Sequence, residues 1–352
     1  MKKLVLTGGG SAGHVVPNLA LVPRLREKFE LFYIGTNGIE RKLLAGKGIP
    51  FYTIDAPKLV RGSLMQNFSL PFRLLRSVRQ AKKHLRSILP DAVFSKGGYV
   101  SLPVVLAARA LKIPVLSHES DFSAGLANRI IAKRCKTVLT SFPETAKSME
   151  NGVYTGSPVR EELFLGDHAA ALGKYGFAGK KPVLLAFGGG SGSRTINDAL
   201  TAALAELLPY FDILHICGKT ENAARSEGYV PLEFEQDMAS AYACADFVVA
   251  RAGSNTVFEL LALKKPALLI PLENKRSRGD QVENALYFQK RGICHVLRES
   301  ELTADTLKNS LLKLASDKIL QRNLQSANFK AGNSAIIKEI CDAAGNTTQT
   351  EK

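Results

Sequence analysis

Tryptophan is absent from this chain and aromatic residues make up only 7% of it, so there is little to stack single-stranded nucleic acid on. Cysteine is sparse. Cys135, Cys217, Cys244, Cys294 and Cys341 are scattered with no CxxC pair, which excludes a disulfide framework or a zinc site and fits buried thiols in a reducing compartment. No apolar run is long enough for a membrane span, since "LPVVLAARAL" is interrupted by Arg109. The opening "MKKLVLTGGG" lacks an extended apolar stretch and reads as a first β-strand rather than a signal peptide. Acidic residues are in deficit, 32 against 47 lysines and arginines, giving a net charge of +15. That excess favours an anionic partner, and with few aromatics a phosphorylated ligand or a membrane surface fits better than nucleic acid. No D-x-D pair occurs in the sequence.

What is present is a regular alternation. "KLVLT", "LFYIG", "AVFSK", "IPVLSHE" and "KTVLTS" in the first half, and "PVLLAFGGG", "DILHICG", "DFVVARAG" and "PALLIPL" in the second, are short apolar runs separated by helix-length segments. This predicts βαβ units and parallel sheets, an α/β class. The length of 352 residues suits two domains, and the second half repeats the opening order of strand, glycine-rich turn and helix. Two doubly wound domains are therefore expected, with a ligand at the carboxyl ends of the strands.

The first glycine loop, "GGGSAGHVVP" from Gly8 to Pro17, holds four glycines and a proline in ten residues. Gly8, Gly10 and Gly13 match GxGxxG, a weak dinucleotide signal by itself. The acid that would hold a nicotinamide ribose is missing at the end of the second strand, which reads Gly35-Thr36-Asn37. Phosphate binding at a helix start and a tight packing turn both remain open. His14 is placed in the first turn of the following helix, where the dipole keeps its ring neutral; a general base and a capping histidine are both open there. "GGGSGS" (Gly188–Ser193) is a second phosphate or sugar loop and "GGYVS" (Gly97–Ser101) a third glycine turn. In "RAGSNTVFELLALKKP" a strand gives way to a helix, with Ser254 or Asn255 as its cap and Glu259 one turn inside, within reach of a ribose diol.

The stretches "TGGGSAGHVVPNLAL", "SKGGYVSLPVVLAA", "HESDFSAGLANR", "TGSPVREELF", "FEQDMASAYACADFVVARAGSNTVFEL" and "GDQVENA" together resemble the MurG family along nearly the whole chain. The resemblance implies the GT-B architecture, two Rossmann-like domains with an interdomain cleft. Residues 1–157 would be the acceptor and membrane domain, and residues 158–332 the UDP-sugar domain. A last helix over residues 333–344 would return to the first. It implies inverting, metal-independent transfer of N-acetylglucosamine from UDP-N-acetylglucosamine to lipid I, giving lipid II, at the cytoplasmic face of the membrane. No cofactor is expected. The partners would be the two substrates, the anionic inner leaflet and other cell-wall and division proteins.

By position, His14 is the family's candidate base. Donor contacts fall on Ser11, Ala12, Gly13, Arg160, Gly190 and Ser191, and on Glu235, whose backbone would read the uracil. Further donor contacts are Ser254, Asn255 and Thr256 at the diphosphate, Glu259 at the ribose and Gln281 at the sugar. Acceptor contacts fall on Gly10, Gly98, Tyr99, Glu119, Asp121 and Asn128. The chain departs from the common pattern at Asp121, at Glu235 and in the basic Lys275–Arg278 segment.

"NFSLPFRLLRSVRQAKKHLRSIL" (Asn67–Leu89) reads as a helix with Leu74, Val78, Ala81, Leu85 and Ile88 on its core face. Phe68, Leu70, Phe72 and Leu75 are left over beside Arg76, Arg79 and Lys83. This is a solvated basic face on residues alone and a membrane patch if the acceptor is a polyprenyl lipid. Competing expectations are a related transferase with another lipid acceptor such as diacylglycerol, a UDP-sugar epimerase of the same fold, and a binding protein without catalysis, which His14 and Glu259 together argue against.

Overall fold

A computed structural model of the chain describes residues 1–59, 67–189, 192–219, 224–273, 278–329 and 331–345. The chain divides into two compact units. One holds Met1–Arg160 together with the C-terminal segment that contains the Asn333–Ala343 helix, and the other holds Glu161–Phe329.

The described strands of the first unit are β1 (Lys2–Thr7), β2 (Phe29–Gly35), β3 (Phe51–Thr53), β4 (Ala92–Ser95), β5 (Val115–Glu119), β6 (Thr137–Thr140) and β7 (Gly152–Tyr154). They form one sheet in the order β3-β2-β1-β4-β5-β6-β7, and every pairing is parallel. Parallel strands need helical crossovers, which cover both faces, so the strands are apolar throughout rather than alternating. Leu4 and Leu6 of β1 point to one face, where Ile336, Ile337 and Ile340 of the C-terminal helix pack on them. Val5 points to the other, against Ala81, Leu85 and Val104. Each such buried aliphatic side chain contributes about 1.5–3 kcal/mol. The C-terminal segment is tied to the first unit by polar bonds too. Asn333 accepts the Val159 N–H through Oδ1 at 2.9 Å and donates Nδ2 to the Val159 carbonyl at 2.8 Å. By its contacts the first unit runs through Val159 to Arg160.

The Leu70–Ile88 helix shows how local chemistry fixes an element. Pro71 sits in its first turn, where a missing N–H costs nothing. Leu89 takes the left-handed conformation, φ 54°, and Pro90 prevents continuation. Ala81, Leu85 and Ile88 are buried, whereas Phe68 and Phe72 are 82% and 74% exposed.

The second unit carries β8 (Val183–Phe187), β9 (Asp212–Ile216), β10 (Tyr229–Leu232), β11 (Phe247–Ala250), β12 (Ala267–Leu269) and β13 (His295–Val296). Their order is β10-β9-β8-β11-β12-β13, again parallel. In both units the chain order reverses direction beside the first strand, between β1 and β4 and between β8 and β11. Crevices at such points are where open α/β sheets bind ligands.

Candidate functional site

At the first crevice, β1 ends in Gly8-Gly9-Gly10, β4 in Lys96-Gly97-Gly98 and β5 in Glu119-Ser120-Asp121. The glycines allow backbone and side chains to meet closely. A methyl group on Gly9 would stand 2.7 Å from the Glu40 carboxylate. That carboxylate is buried and accepts the Gly10 N–H at 3.3 Å and the Thr36 N–H at 2.8 Å. The Glu40 side chain thus packs against this loop. Sequence reading missed Glu40, whose only signal is an acid shortly after the strand end that lacks one.

His14 lies at the end of a short 3-10 turn, Ala12–His14, and precedes the Val16–Arg26 helix. The expected place in the helix's first turn is thereby corrected: His14 stands just before Val15, the helix's cap. The His14 Nδ1 lies 3.1 Å from the Lys96 carbonyl. A carbonyl only accepts, so Nδ1 carries the hydrogen and the neutral ring has its lone pair on Nε2. That tautomer can take a proton.

Behind the turn is a buried polar cluster. Glu119, 3% exposed, accepts the Asp121 N–H at 3.0 Å and the Asn128 amide at 2.7 Å. Asn128 in turn accepts the Gly98 N–H at 3.2 Å. Lys96, 1% exposed, bonds the Ser120 hydroxyl through Nζ. Burial pulls the Lys96 ammonium down to about 8 against the upward pull of Glu119 and Asp121. Burial and the Asp121 charge raise the Glu119 carboxyl. Glu119 and Asn128, expected as acceptor contacts, bond each other. Gly10, Gly98 and Tyr99 adjoin the same turn, with the Tyr99 ring against Gly10. Ser11, Ala12 and Gly13 form the turn before His14.

In the second unit a cavity of about 500 Å³ is lined by Gly188, Gly192, Ser193, Thr195, Arg251 and Gln281 among others, a size suited to a small-molecule ligand. Ser193 caps the Arg194–Leu207 helix. Arg251 donates to Ser193 Oγ at 2.7 Å and pairs with Glu299. Gln281 accepts the Leu272 N–H at 3.0 Å through its carbonyl, which turns its amide nitrogen to the donating role. Sequence reading did not single out Arg251 or Glu299, although Arg251 directly follows β11.

The β11 turn differs from expectation in one respect. Gly253 is the cap of the Ser254–Ala262 helix and no side chain caps it, so Ser254 and Asn255 are inside the first turn rather than caps. The amides of Ser254, Asn255 and Thr256 are thus first-turn donors. Glu259, 7% exposed, accepts the Tyr242 hydroxyl at 3.2 Å. Glu235 is held by the Tyr175 hydroxyl at 2.8 Å, the Asp237 N–H at 2.7 Å and Lys174 at 3.4 Å. Of the expected donor residues described in this unit, Gln281 lines the cavity, Ser254, Asn255, Thr256 and Glu259 lie in the Ser254–Ala262 helix, and Glu235 precedes the Met238–Cys244 helix. Gly190, Ser191 and Lys275 lie outside the described residues, while Arg278 pairs with Asp280 at 3.6 Å. Among the described residues no three His, Cys, Asp or Glu side chains are grouped to hold a metal ion. Among them, too, no helix is long and apolar enough to cross a membrane.

Residues 4–140 match the glycosyltransferase family 28 N-terminal domain, and residues 183–340 match the family's C-terminal domain. The chain is 48% identical over 326 residues to a UDP-N-acetylglucosamine--N-acetylmuramyl-(pentapeptide) pyrophosphoryl-undecaprenol N-acetylglucosamine transferase of Lachnospira eligens. The match covers 90% of this chain and 92% of the relative. The transferase of the same name from Clostridium novyi is 46% identical over 347 residues, covering 96% and 97%. The chain belongs to the MurG family of glycosyltransferases. A crystal structure of Acinetobacter baumannii MurG superposes with a TM-score of 0.74 at 27% identity, covering 96% of this chain and 99% of that one. The calicheamicin glycosyltransferase CalG4, at 14% identity and a TM-score of 0.71, shares the fold. The MurG resemblance read from the glycine stretches, and the Rossmann-like GT-B class it implied, are both borne out.

Proposed function

We propose that this glycosyltransferase moves N-acetylglucosamine from UDP-N-acetylglucosamine to the 4-hydroxyl of the N-acetylmuramyl group of lipid I, making lipid II for peptidoglycan. The observation that carries the reading is 48% identity, over 90% of the chain, to a transferase named for that reaction.

The chemistry assigns a role to each unit. In the first, His14 Nε2 takes the proton of the acceptor hydroxyl as its oxygen bonds the anomeric carbon. The bond from that carbon to the UDP oxygen breaks, UDP leaves with the electron pair, and the configuration inverts. In the second, the first-turn amides of Ser254, Asn255 and Thr256 meet the diphosphate charge that grows on departure. Glu259 suits the ribose hydroxyls, Gln281 the sugar, the Glu235 backbone the uracil, and Arg160 completes the donor contacts. Amides rather than a cation carry the leaving charge, so no metal is required. Gly10, Tyr99 and Asp121 line the acceptor side. Phe68, Phe72 and Leu75, flanked by Arg76, Arg79 and Lys83, seat the protein peripherally on the anionic cytoplasmic leaflet. Leu70 is half-buried and contributes less.

The test is transfer of radiolabelled sugar from UDP-N-acetylglucosamine to a short-chain lipid I analogue with EDTA present. Label should move to the lipid at the rate seen without chelator. No transfer, or transfer that returns only with added magnesium, would contradict the reading.

A further inference from the structure

We propose that Asn128, Glu119 and Lys96 are positioning residues that act on His14 through the Gly97–Gly98 turn. The inference rests on the reading of His14 as the base.

The chain of contacts starts in the interior. The Glu119 carboxylate accepts the Asn128 amide at 2.7 Å, a charge-assisted bond that fixes which end of Asn128 faces inward. The other end, Oδ1, then accepts the Gly98 N–H at 3.2 Å. Both ends of the amide are used in holding the turn. Gly97 and Gly98 have φ of +86° and +80°, a conformation side chains rarely adopt, and they are wedged between two groups. A methyl on Gly97 would lie 2.3 Å from Asn128 Oδ1, and one on Gly98 would lie 2.9 Å from His14 Cδ2. The residue just before the turn, Lys96, supplies the carbonyl that receives His14 Nδ1 at 3.1 Å. A shift of the turn therefore displaces both the surface against the imidazole and the carbonyl that sets its tautomer.

Lys96 enters a second time through its side chain. A straight apolar side chain would fill this buried space without the cost of an enclosed charge. What lysine adds is positive charge beside Glu119 and Asp121, with Nζ anchored on Ser120. That charge favours the ionised Glu119, and an ionised Glu119 accepts from Asn128 in one orientation. The groups that bear on the carboxylate are Lys96, Asp121 and Asn128, and His118 lies near the Lys96 ammonium.

The experiment compares the full-length protein with Lys96→Met, Asn128→Leu and Asn128→Asp, using two readouts. The first is the nitrogen-15 spectrum of the His14 ring in the resting enzyme. Wild type should show a single tautomer with hydrogen on Nδ1, and Lys96→Met and Asn128→Leu should show a mixture. The second is turnover, expected to fall by about tenfold or more in both variants, as for a slightly misplaced catalytic group, with KM for UDP-N-acetylglucosamine within about twofold. Asn128→Asp sets a carboxylic acid against Glu119, so a shared proton can replace the lost amide hydrogen. Its turnover relative to wild type should rise as the pH is lowered from about 8 to 6, which simple loss of folding would not produce. A wild-type His14 spectrum in Lys96→Met and Asn128→Leu overturns the inference whatever the turnover does. Normal turnover in His14→Ala would instead remove the base reading and leave the tautomer result standing.

Discussion

The Glu40 carboxylate and the Gly10 backbone amide are 3.3 Å apart, and the same carboxylate holds the Thr36 amide at 2.8 Å. Glu40 is fully buried. Its removal would take this acceptor from the part-buried Gly10 and Thr36 N–H groups, each bond worth about 0.5–1.5 kcal/mol. Glu40→Ala is therefore expected to lower stability by about 2 kcal/mol and to speed hydrogen exchange at Gly10 and Thr36. Denaturant unfolding followed by circular dichroism, with exchange measured at those amides, checks it. A loss below about 0.5 kcal/mol with unchanged exchange would refute the assignment.

The Tyr175 hydroxyl pins the Glu235 carboxylate at 2.8 Å. If the backbone at 235 reads the base, losing that hydroxyl should loosen donor binding without touching the chemical step. Tyr175→Phe is expected to raise KM for UDP-N-acetylglucosamine about three- to tenfold, the worth of one ordinary hydrogen bond of about 1 kcal/mol, with kcat within twofold. Steady-state kinetics with saturating acceptor decides it, and a fall in kcat at constant KM would argue for a different role.

His215 is buried between the Tyr229 hydroxyl and Asn197, both at 3.0 Å. Asn197 donates its amide to the Cys217 carbonyl at 2.7 Å, so its oxygen takes the His215 Nε2 hydrogen and Nδ1 accepts from Tyr229. Burial holds the ring neutral and pushes it down to about 4 from an ordinary 6.5. Between those values the unfolded chain binds a proton that the folded one refuses. This contribution to stability is complete above about pH 6.5 and is lost as the pH falls toward 4, about 3 kcal/mol in all. His118, fully buried and also shifted well down, chiefly by burial and then by Lys96, acts in the same sense. His215→Gln should flatten the acid limb of a stability–pH curve by roughly that amount. An unchanged slope would contradict the assignment.

Some of this was legible in the sequence. "KKLVLT" and "DFVVA" read as buried strands because parallel sheets are covered on both faces, and the Leu74–Ile88 spacing showed which helix face goes inward. The resemblance marked His14, Ser254 and Glu259. Glu40 and Lys96 were not legible because their roles depend on loops brought together across 30 and 24 residues of chain, to Gly10 and Ser120. The local environment of His14 escaped for a related reason. A 3-10 turn and a helix start have similar residue preferences, and the Lys96 carbonyl that sets its tautomer is 82 residues away. Ser254 and Asn255 look like caps by residue type, but a glycine one position earlier takes the role.

The exposed Phe68, Phe72 and Leu75 should drive vesicle binding together with Arg76, Arg79 and Lys83. Near an anionic surface each basic side chain contributes about 1 kcal/mol. Replacing the three basic residues by glutamine should therefore weaken co-sedimentation with vesicles containing phosphatidylglycerol by about a hundredfold. High salt should weaken wild type in the same direction. Binding indifferent to lipid charge and salt would remove the membrane reading.

The most direct test concerns His14. In the labelled-sugar assay with a lipid I analogue, His14→Ala should lose at least about 100-fold in turnover while titration calorimetry shows UDP-N-acetylglucosamine bound as in wild type. Turnover within about threefold of wild type, at equal donor affinity, would contradict the account of how this protein takes the acceptor proton.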